Sequence, residues 1–241
     1  LHFAALVSWA VGQGHSCFSR ELLPDIPSGT AQDLLDVLRT GIWPEAPFIG
    51  DPASGLPIVV DGTHAWLRRY FIYEREIEVA LHERSRPFAN LPEAHAVKVA
   101  LDRLMPANFE SETDWQRVAA VNALRAPLSV ICGGPGTGKT YTALRLLALV
   151  QSFSGVPLRM GLAAPTGKAA QRLGESVRQG LEELHLTDAE REALPDTTTT
   201  VHRLLGMRPQ SVYPRHDASR PLDLDVLVID ECSMLDLPLM A

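Results

Sequence analysis

Hydrophobic residues in the first part of the chain recur every three or four positions, which is the spacing of amphipathic helices. The helices that this spacing predicts cover residues 1–11, 30–39, about 73–84 and 94–105. One stretch differs, because Asp61 and Gly62 stand between two short apolar runs and therefore predict a β-hairpin. Residues 1–108 are accordingly expected to form a small, mostly helical domain with one hairpin.

The pattern changes after a polar, acidic segment, PANFESETD, which is typical of a linker. Three short apolar runs follow it at residues 128–132, 158–165 and 226–230, and each is predicted to be a buried strand. Amphipathic helices are predicted between them. This alternation is typical of a parallel sheet with helices on its faces, so residues 109–241 are expected to form an α/β domain.

Composition narrows the class of protein. Hydrophobic residues make up 46% of the 241 residues and charged ones 21%, which excludes a disordered chain. No apolar run reaches the ~18 residues of a membrane span. The net charge of −7 excludes an overall basic surface but leaves room for a local basic patch. Three cysteines indicate a reducing, cytoplasmic compartment. Because the chain starts at Leu1 and stops directly after a motif, we expect it to be a fragment.

The sequence GGPGTGKT fits the phosphate-binding loop pattern G-x-x-x-x-G-K-[ST]. Glycines let successive backbone N–H groups turn towards phosphate oxygens, and the following helix adds its positive end. Lys139 is expected to reach the β- and γ-phosphates, and the Thr140 hydroxyl to bind Mg²⁺. The residues predicted to hold the nucleotide are Gly133, Gly134, Pro135, Gly136, Thr137, Gly138, Lys139 and Thr140. A flexible glycine-rich loop is the alternative, but the predicted strand and helix on either side favour the nucleotide site.

VLVIDE supplies the second half of such a site, since a buried strand delivers Asp230 to its carboxyl end. Asp230 is expected to hold Mg²⁺ through water, and Glu231 to polarise the attacking water. Adjacent acids after a strand also begin helices, but the upstream phosphate loop favours catalysis. Gln116 lies twelve residues before the P-loop strand, and its amide can pair with an adenine edge; an ordinary surface glutamine is the alternative.

Two segments are candidates for contact with a nucleic-acid backbone. Thr166 and Lys168 follow the second predicted strand, where a hydroxyl, a cation and a helix start suit a phosphate, although Thr166 as a plain helix cap is equally compatible. Thr200, His202 and Arg203 form a similar group. The next stretch, residues 206–221, carries Arg208, Arg215 and Arg220 with Tyr213 between them. It fits a solvated loop at least as well as a polynucleotide-facing one.

The eight histidines show no ligand spacing with the cysteines, so no metal beyond Mg²⁺ is expected. Cys132 and Cys232 border the two nucleotide motifs and are expected to be small buried residues.

Together these motifs resemble the superfamily 1 helicases, and most of all the RecD-type (alpha) subunits of exodeoxyribonuclease V. DWQRVAA resembles the adenine-reading Q motif of that family, GGPGTGKT motif I, and LAAPTGKAAQRL motif Ia. TTTTVHRLLG resembles the next DNA-contact motif, and LDVLVIDECSMLDLPLM motif II. AALVSWAVGQGHSCFS resembles the short first domain of the family. The resemblance covers nearly the whole chain.

The resemblance implies a RecA-like motor domain, ATP as cofactor, and a 5′→3′ DNA helicase that acts on DNA ends with the beta and gamma subunits of exodeoxyribonuclease V. It adds Pro165 of motif Ia to the expected DNA contacts. It also implies a second motor domain with an arginine finger, so we expect little turnover from residues 1–241 alone. The alternatives are a non-catalytic assembly module, a freestanding RecD-like helicase, and a P-loop ATPase unrelated to DNA.

Overall fold

The computed structural model describes residues 2–26, 29–30, 32–106, 113–134, 136–209, 211 and 213–241. Its contacts separate two compact units, one of residues 1–80 with 236–241 and one of residues 81–235. The predicted domain boundary between residues 108 and 109 lies outside the described residues and stays a prediction.

The described helices and strands are named here in chain order. The helices are α1 (His2–Gly12), α2 (Gln32–Arg39), α3 (Arg68–Arg84), α4 (Ala94–Leu104), α5 (Trp115–Ala123), α6 (Lys139–Ser152), α7 (Gly167–Glu183), α8 (Asp188–Ala193), α9 (Val201–Leu204) and α10 (Leu237–Met240). The strands are β1 (Phe18–Ser19), β2 (Ile49–Gly50), β3 (Ile58–Asp61), β4 (His64–Leu67), β5 (Met160–Ala164), β6 (Thr199–Thr200) and β7 (Val226–Ile229). No helix in these ranges has the length and apolar character needed to cross a membrane.

The first unit is built around a four-stranded sheet with the order β1-β4-β3-β2. The predicted hairpin is confirmed: β3 and β4 pair antiparallel, and Gly62 turns between them with a φ of 52°. Its core is formed by α1, α2 and the sheet through Phe3, Leu6, Val7, Ala10, Phe18, Leu38, Ile58 and Ala65. The predicted helices in this region are confirmed as α1 and α2, and the helix predicted to end near Arg84 as α3.

The second unit contains a parallel sheet with the order β6-β5-β7. The α6 and α7 helices pack on each other and on a core that includes Leu147, Leu162 and Val177. Leu173, Val177 and Leu181 lie on the buried stripe of α7, as the four-residue spacing predicts. The predicted α/β class with a parallel sheet is thereby confirmed.

Arg159, which lies just before β5, connects the amino-terminal ends of β5 and β7. Its guanidinium donates to both carboxylate oxygens of Asp225 at 2.9 and 3.0 Å and also pairs with Asp223. The backbone N–H of Arg159 donates to Asp225 as well, at 2.8 Å. These hydrogen bonds from Arg159 lower the pKa of Asp225 to about 2. The pair therefore sets the register in which Met160 faces Val226.

The strand predicted over residues 128–132 is wrong. These residues form no ladder with another described segment, and Val130 is 68% exposed. The N–H of Leu128 donates to the carbonyl of Arg84 at 3.2 Å instead. An apolar run indicates a preference for burial, but a strand also needs a neighbouring edge to pair with. Within the described residues, β7 pairs on one side only, with β5.

Candidate nucleotide-binding site

The carboxyl ends of the three parallel strands of the second unit lie on one edge of their sheet. Asp230 follows β7, Thr166 and Lys168 follow β5, and His202 and Arg203 follow β6. Since β5 lies between the other two strands, the nucleotide candidates occupy one end of this edge. The candidates for nucleic-acid contact follow the middle strand, β5, and the strand at the other end, β6.

The glycine-rich loop before α6 needs glycine for two physical reasons. Gly136 and Gly138 have φ values of 76° and 77°, in the left-handed region that side chains disfavour. A Cβ at Gly138 would also lie 2.7 Å from Nε2 of Gln116. Gly133 is similarly confined, because its Cβ would lie 2.6 Å from Oγ1 of Thr137. Pro135, predicted to bind nucleotide with its neighbours, lies outside the described residues.

Lys139 is the first residue of α6, and its side chain folds back over the loop. The ammonium donates to the carbonyl oxygens of Gly133 and Gly134, both at 2.9 Å. The hydroxyl of Thr137 donates to the same Gly134 carbonyl at 2.9 Å. The Lys139 ammonium thus lies against the glycine-rich loop, where the phosphates of a nucleotide would bind.

Thr140 and Asp230 are ninety residues apart in sequence and in contact in the structure. The Thr140 hydroxyl donates to Oδ2 of Asp230 at 3.2 Å. A hydroxyl and a carboxylate are hard oxygen ligands of the kind that Mg²⁺ takes. The described residues contain no cluster of three His, Cys, Asp or Glu able to hold a metal by itself. The pair therefore fits Mg²⁺ bound jointly with nucleotide phosphates and water.

Glu231 has an unusual backbone for a residue with a side chain. Its φ is 52° and its ψ 37°, and it is the one non-glycine residue with positive φ in the described part of the chain. Its N–H donates to Oδ1 of Asp230 at 2.9 Å. Such a conformation costs about 1–3 kcal/mol and is characteristic of functional sites. The exposed Glu231 lines the same cleft as Thr140 and Asp230.

A cleft of about 520 Å³ joins these groups. Its lining consists of the loop, the two acids and one face of α7: Gly136, Thr137, Gly138, Lys139, Thr140, Tyr141, Ser176, Gln179, Gly180, Glu183, Asp230 and Glu231. Sequence reasoning missed the α7 wall. The only signal was the polar face opposite the stripe of Leu173 and Val177, which does not say what it borders. The absence of a side chain at Gly180 lets α7 approach α6 closely enough to line the cleft, because a Cβ there would lie 2.6 Å from Leu144 on α6.

Gln116 is brought to the loop by α5. Asp114 caps this helix and accepts from the N–H groups of Gln116 and Arg117, both at 3.1 Å. The Gln116 amide then donates through Nε2 to the carbonyl of Thr137 at 3.0 Å. Gln116 therefore lies against the phosphate loop, and its reading of adenine stays a prediction.

The threonines at the other end of the sheet edge act as helix caps. Thr166 accepts from the N–H of Ala169 at 3.2 Å, and Thr200 from that of Arg203 at 3.3 Å. A hydroxyl that accepts in this way keeps its own hydrogen to donate, so capping and phosphate contact are compatible.

The three cationic or titratable side chains beside these caps are on the surface. Lys168, His202 and Arg203 are exposed and form no ion pair with another described residue. Pro165 is buried, and its expected contact with DNA stays a prediction.

The segment after α9 forms a closed loop. The carbonyl of Leu205 accepts from the N–H groups of Arg215 and His216 at 2.9 and 3.1 Å, which joins its two ends. Tyr213 projects from it and is 79% exposed. Arg208 is also exposed and makes no ion pair among the described residues. Both interpretations of this loop, solvated or polynucleotide-facing, stay open.

The expectation that Cys132 and Cys232 are buried is wrong. Both are exposed. Cys132 belongs to the segment that forms no strand, and Cys232 starts a short 3₁₀ turn directly after Glu231. Neither therefore has a sheet face to cover it.

A glycine-rich loop at a helix start, its lysine, and a hydroxyl–carboxylate pair at the end of a parallel strand define the P-loop nucleotide-binding class. Within this class, residues 116–241 match the AAA domain family, and the chain belongs to that family.

The chain is also similar to proteins named RecBCD enzyme subunit RecD. It is 34% identical to that of Haemophilus influenzae over 99% of this chain and 41% of the relative. It is 40% identical to that of Mycolicibacterium smegmatis over 91% of this chain and 37% of the relative. The ATP-dependent RecD2 DNA helicase of Deinococcus radiodurans is 42% identical over 45% of this chain. The resemblance to RecD-type proteins is confirmed, and the chain spans about two fifths of the length of these RecD relatives.

Proposed function

We propose that this chain carries the ATP-binding part of a RecD-type DNA helicase, with ATP and Mg²⁺ as its cofactors. One observation carries the proposal: Lys139, Thr140 and Asp230 converge at the phosphate loop, and Gln116 hydrogen-bonds that loop. The site thus combines groups for phosphate, for a divalent cation and for an adenine edge.

Each residue then has a defined part in hydrolysis. The loop N–H groups and Lys139 would hold the β- and γ-phosphates, while Thr140 and Asp230 would hold Mg²⁺. When bound, Mg²⁺ neutralises charge on the phosphate oxygens. Glu231 would orient the attacking water towards the γ-phosphate and accept its proton as the bond to phosphorus forms and the bond to the leaving ADP breaks. Its exposed side chain, which lines the same cleft as Lys139, Thr140 and Asp230, supports this role.

The DNA strand is proposed to run along the sheet edge past β5 and β6. Thr166, Lys168, Thr200, His202 and Arg203 would hold its phosphates, because they offer hydroxyl hydrogens and exposed cationic or titratable groups side by side. The loop that carries Tyr213 and Arg208 extends this surface with a stacking ring and a further charge. The name of the Deinococcus relative, a DNA helicase, supports the choice of DNA.

For the whole protein we propose 5′→3′ movement on DNA ends in double-strand-break repair and recombination. We also propose assembly with the beta and gamma subunits of exodeoxyribonuclease V in the cytoplasm. The support is that relatives matching 91–99% of this chain are named as subunits of the RecBCD enzyme. The ATP-dependent RecD2 DNA helicase of Deinococcus radiodurans matches only 45% of the chain, which supports the complex-forming type.

The deciding experiment measures ATP hydrolysis by the full-length protein with and without single-stranded DNA. We expect DNA to stimulate hydrolysis. We also expect the double variant Lys168→Ala with Arg203→Ala to need more DNA for half-maximal stimulation. Arg75→Ala is the matched control, because it removes one exposed positive charge from α3, in the other unit. Hydrolysis that ignores DNA in the unaltered protein would exclude the DNA-dependent function.

A further inference from the structure

The base-reading capacity of Gln116 depends on how its amide is held. One N–H of that amide donates to the Thr137 carbonyl, which leaves one N–H and the oxygen Oε1 for a nucleotide. This remaining donor–acceptor pair matches adenine, which presents the N6 amino group beside the acceptor N7. Guanine presents two acceptors there, O6 and N7, and would place O6 against Oε1. Discrimination between the two bases therefore requires a fixed amide.

The first turn of α5, which carries Gln116, is tied to the end of α4 by the next residue, Arg117. Its guanidinium donates to Oδ1 of Asp102 at 2.6 Å and to the carbonyl of Met105 at 3.2 Å. The Arg117 side chain is 17% exposed. Lys98 holds the other Asp102 oxygen at 2.7 Å. Hydrogen bonds from Lys98 and Arg117 lower the pKa of Asp102, so the carboxylate stays charged for this contact.

Gln116 and Arg117 are successive residues of one helical turn, so their side chains leave α5 in different directions. One contacts the phosphate loop and the other contacts α4. The contact with the loop is close: a Cβ at Gly138 would lie 2.7 Å from Nε2 of Gln116. A small rotation of α5 about its axis would therefore break the bond to Thr137 and release the amide.

We propose that Arg117, through its ion pair with Asp102, is a positioning residue for base selection by Gln116. The proposal rests on the proposed ATP-binding function and deepens it. Arg117 acts through α5 and not by touching the nucleotide. Its loss is expected to change which base is accepted more than how fast a bound nucleotide is hydrolysed, because Lys139, Thr140 and Asp230 make no hydrogen bond with it.

The test compares KM and kcat for ATP and GTP in the full-length protein. Gln116→Ala measures the selectivity that the amide provides. Arg117→Met is expected to lower the ratio of kcat/KM for ATP to that for GTP by about tenfold, mostly through KM, since a bidentate base contact discriminates on this order. Arg117→Lys keeps the charge and is expected to restore part of the ratio.

The matched control is Arg103→Met, which removes a comparable ion pair from α4, the helix that carries Asp102. Arg103 is next to Asp102 and donates to both oxygens of Glu190, at 2.5 and 2.9 Å, but this pair joins α4 to α8. We expect Arg103→Met to lower the melting temperature without changing the ATP-to-GTP ratio. A ratio that shifts equally in Arg103→Met would overturn the positioning role, because general destabilisation would explain both.

Asp102→Asn keeps the size of the side chain and weakens the same pair, so it serves if Arg117→Met does not fold. A shift of about threefold in the same direction is the expected result. If the unaltered protein prefers ATP and both Arg117→Met and Asp102→Asn keep that preference, the positioning role is wrong while the proposed function stands. If the unaltered protein does not discriminate ATP from GTP, the adenine-reading part of the proposed function fails as well.

Discussion

The two ends of the sheet edge in the second unit are built differently. At the nucleotide end, side chains from distant segments contact one another or a distant backbone: Thr140 bonds Asp230, and Gln116 bonds Thr137. At the other end, the side-chain hydroxyls of Thr166 and Thr200 accept from backbone N–H groups in the first turns of the helices that they cap. Groups that share contacts are coupled, whereas separate groups act independently. Substitutions should therefore be non-additive at the nucleotide end and additive at the other.

The largest effect is expected for Lys139→Gln at the nucleotide end. It removes the positive charge of the ammonium that lies against the loop, so both nucleotide binding and hydrolysis should fall. We expect kcat/KM for ATP to be lower by about 10³-fold. Steady-state hydrolysis and equilibrium binding of a fluorescent ATP analogue measure the two effects. Turnover near that of the unaltered protein would show that the lysine is not aimed at phosphate.

Glu231→Gln is expected to separate hydrolysis from binding. The amide cannot accept a proton from water, so turnover should fall about 10²-fold. The Thr140–Asp230 pair is left intact, so ATP affinity should hold and bound ATP should persist. Single-turnover hydrolysis combined with binding measures both. A loss of affinity as large as the loss of turnover would instead place Glu231 among the ligand-holding groups.

The other end of the edge is tested by Lys168→Ala, Arg203→Ala and the double variant. Each removes one exposed cation, so the dependence of DNA affinity on salt should fall by about one phosphate contact, and the two losses should add. Titrations of labelled single-stranded DNA at several salt concentrations give the slopes. Strong non-additivity, or a collapse of ATP affinity in Lys168→Ala, would contradict the independence of these groups.

The smallest effect concerns an ion pair outside both ends. The hydrogen bonds from Arg103 and from Thr187 lower the pKa of Glu190, and burial of the carboxylate acts in the opposite direction but is the weaker influence. A lowered pKa stabilises the fold above the ordinary glutamate value, about 4.3, and this contribution is lost as pH falls through the folded value below it. Glu190→Gln should therefore cost on the order of 1 kcal/mol at pH 7. Urea unfolding at pH 7 and pH 3 should show that difference shrinking in acid.

The nucleotide residues were accessible from sequence because their spacing is itself the physical requirement. The glycines at 136 and 138 have positive φ, and Asp230 lies directly after the parallel strand β7, although that strand is only partly buried and not the buried strand predicted. The strand over 128–132 and the burial of Cys132 were wrong for one shared reason. Both depend on a pairing partner, and side-chain pattern alone does not specify one. The α7 wall of the cleft was likewise hidden, because the close approach at Gly180 is a tertiary contact.

The left-handed backbone at Glu231 implies that thermal stability and catalytic activity favour different residues at this position. Asparagine or glycine adopts that backbone more readily than glutamate does, so either replacement relieves strain of about 1–3 kcal/mol. Selection for thermal resistance alone would therefore favour such replacements and remove the carboxylate that the proposed chemistry requires. A library sorted only for resistance to heating should enrich inactive Glu231→Asn and Glu231→Gly proteins. Sorting for hydrolysis should restore glutamate and the lower melting temperature together.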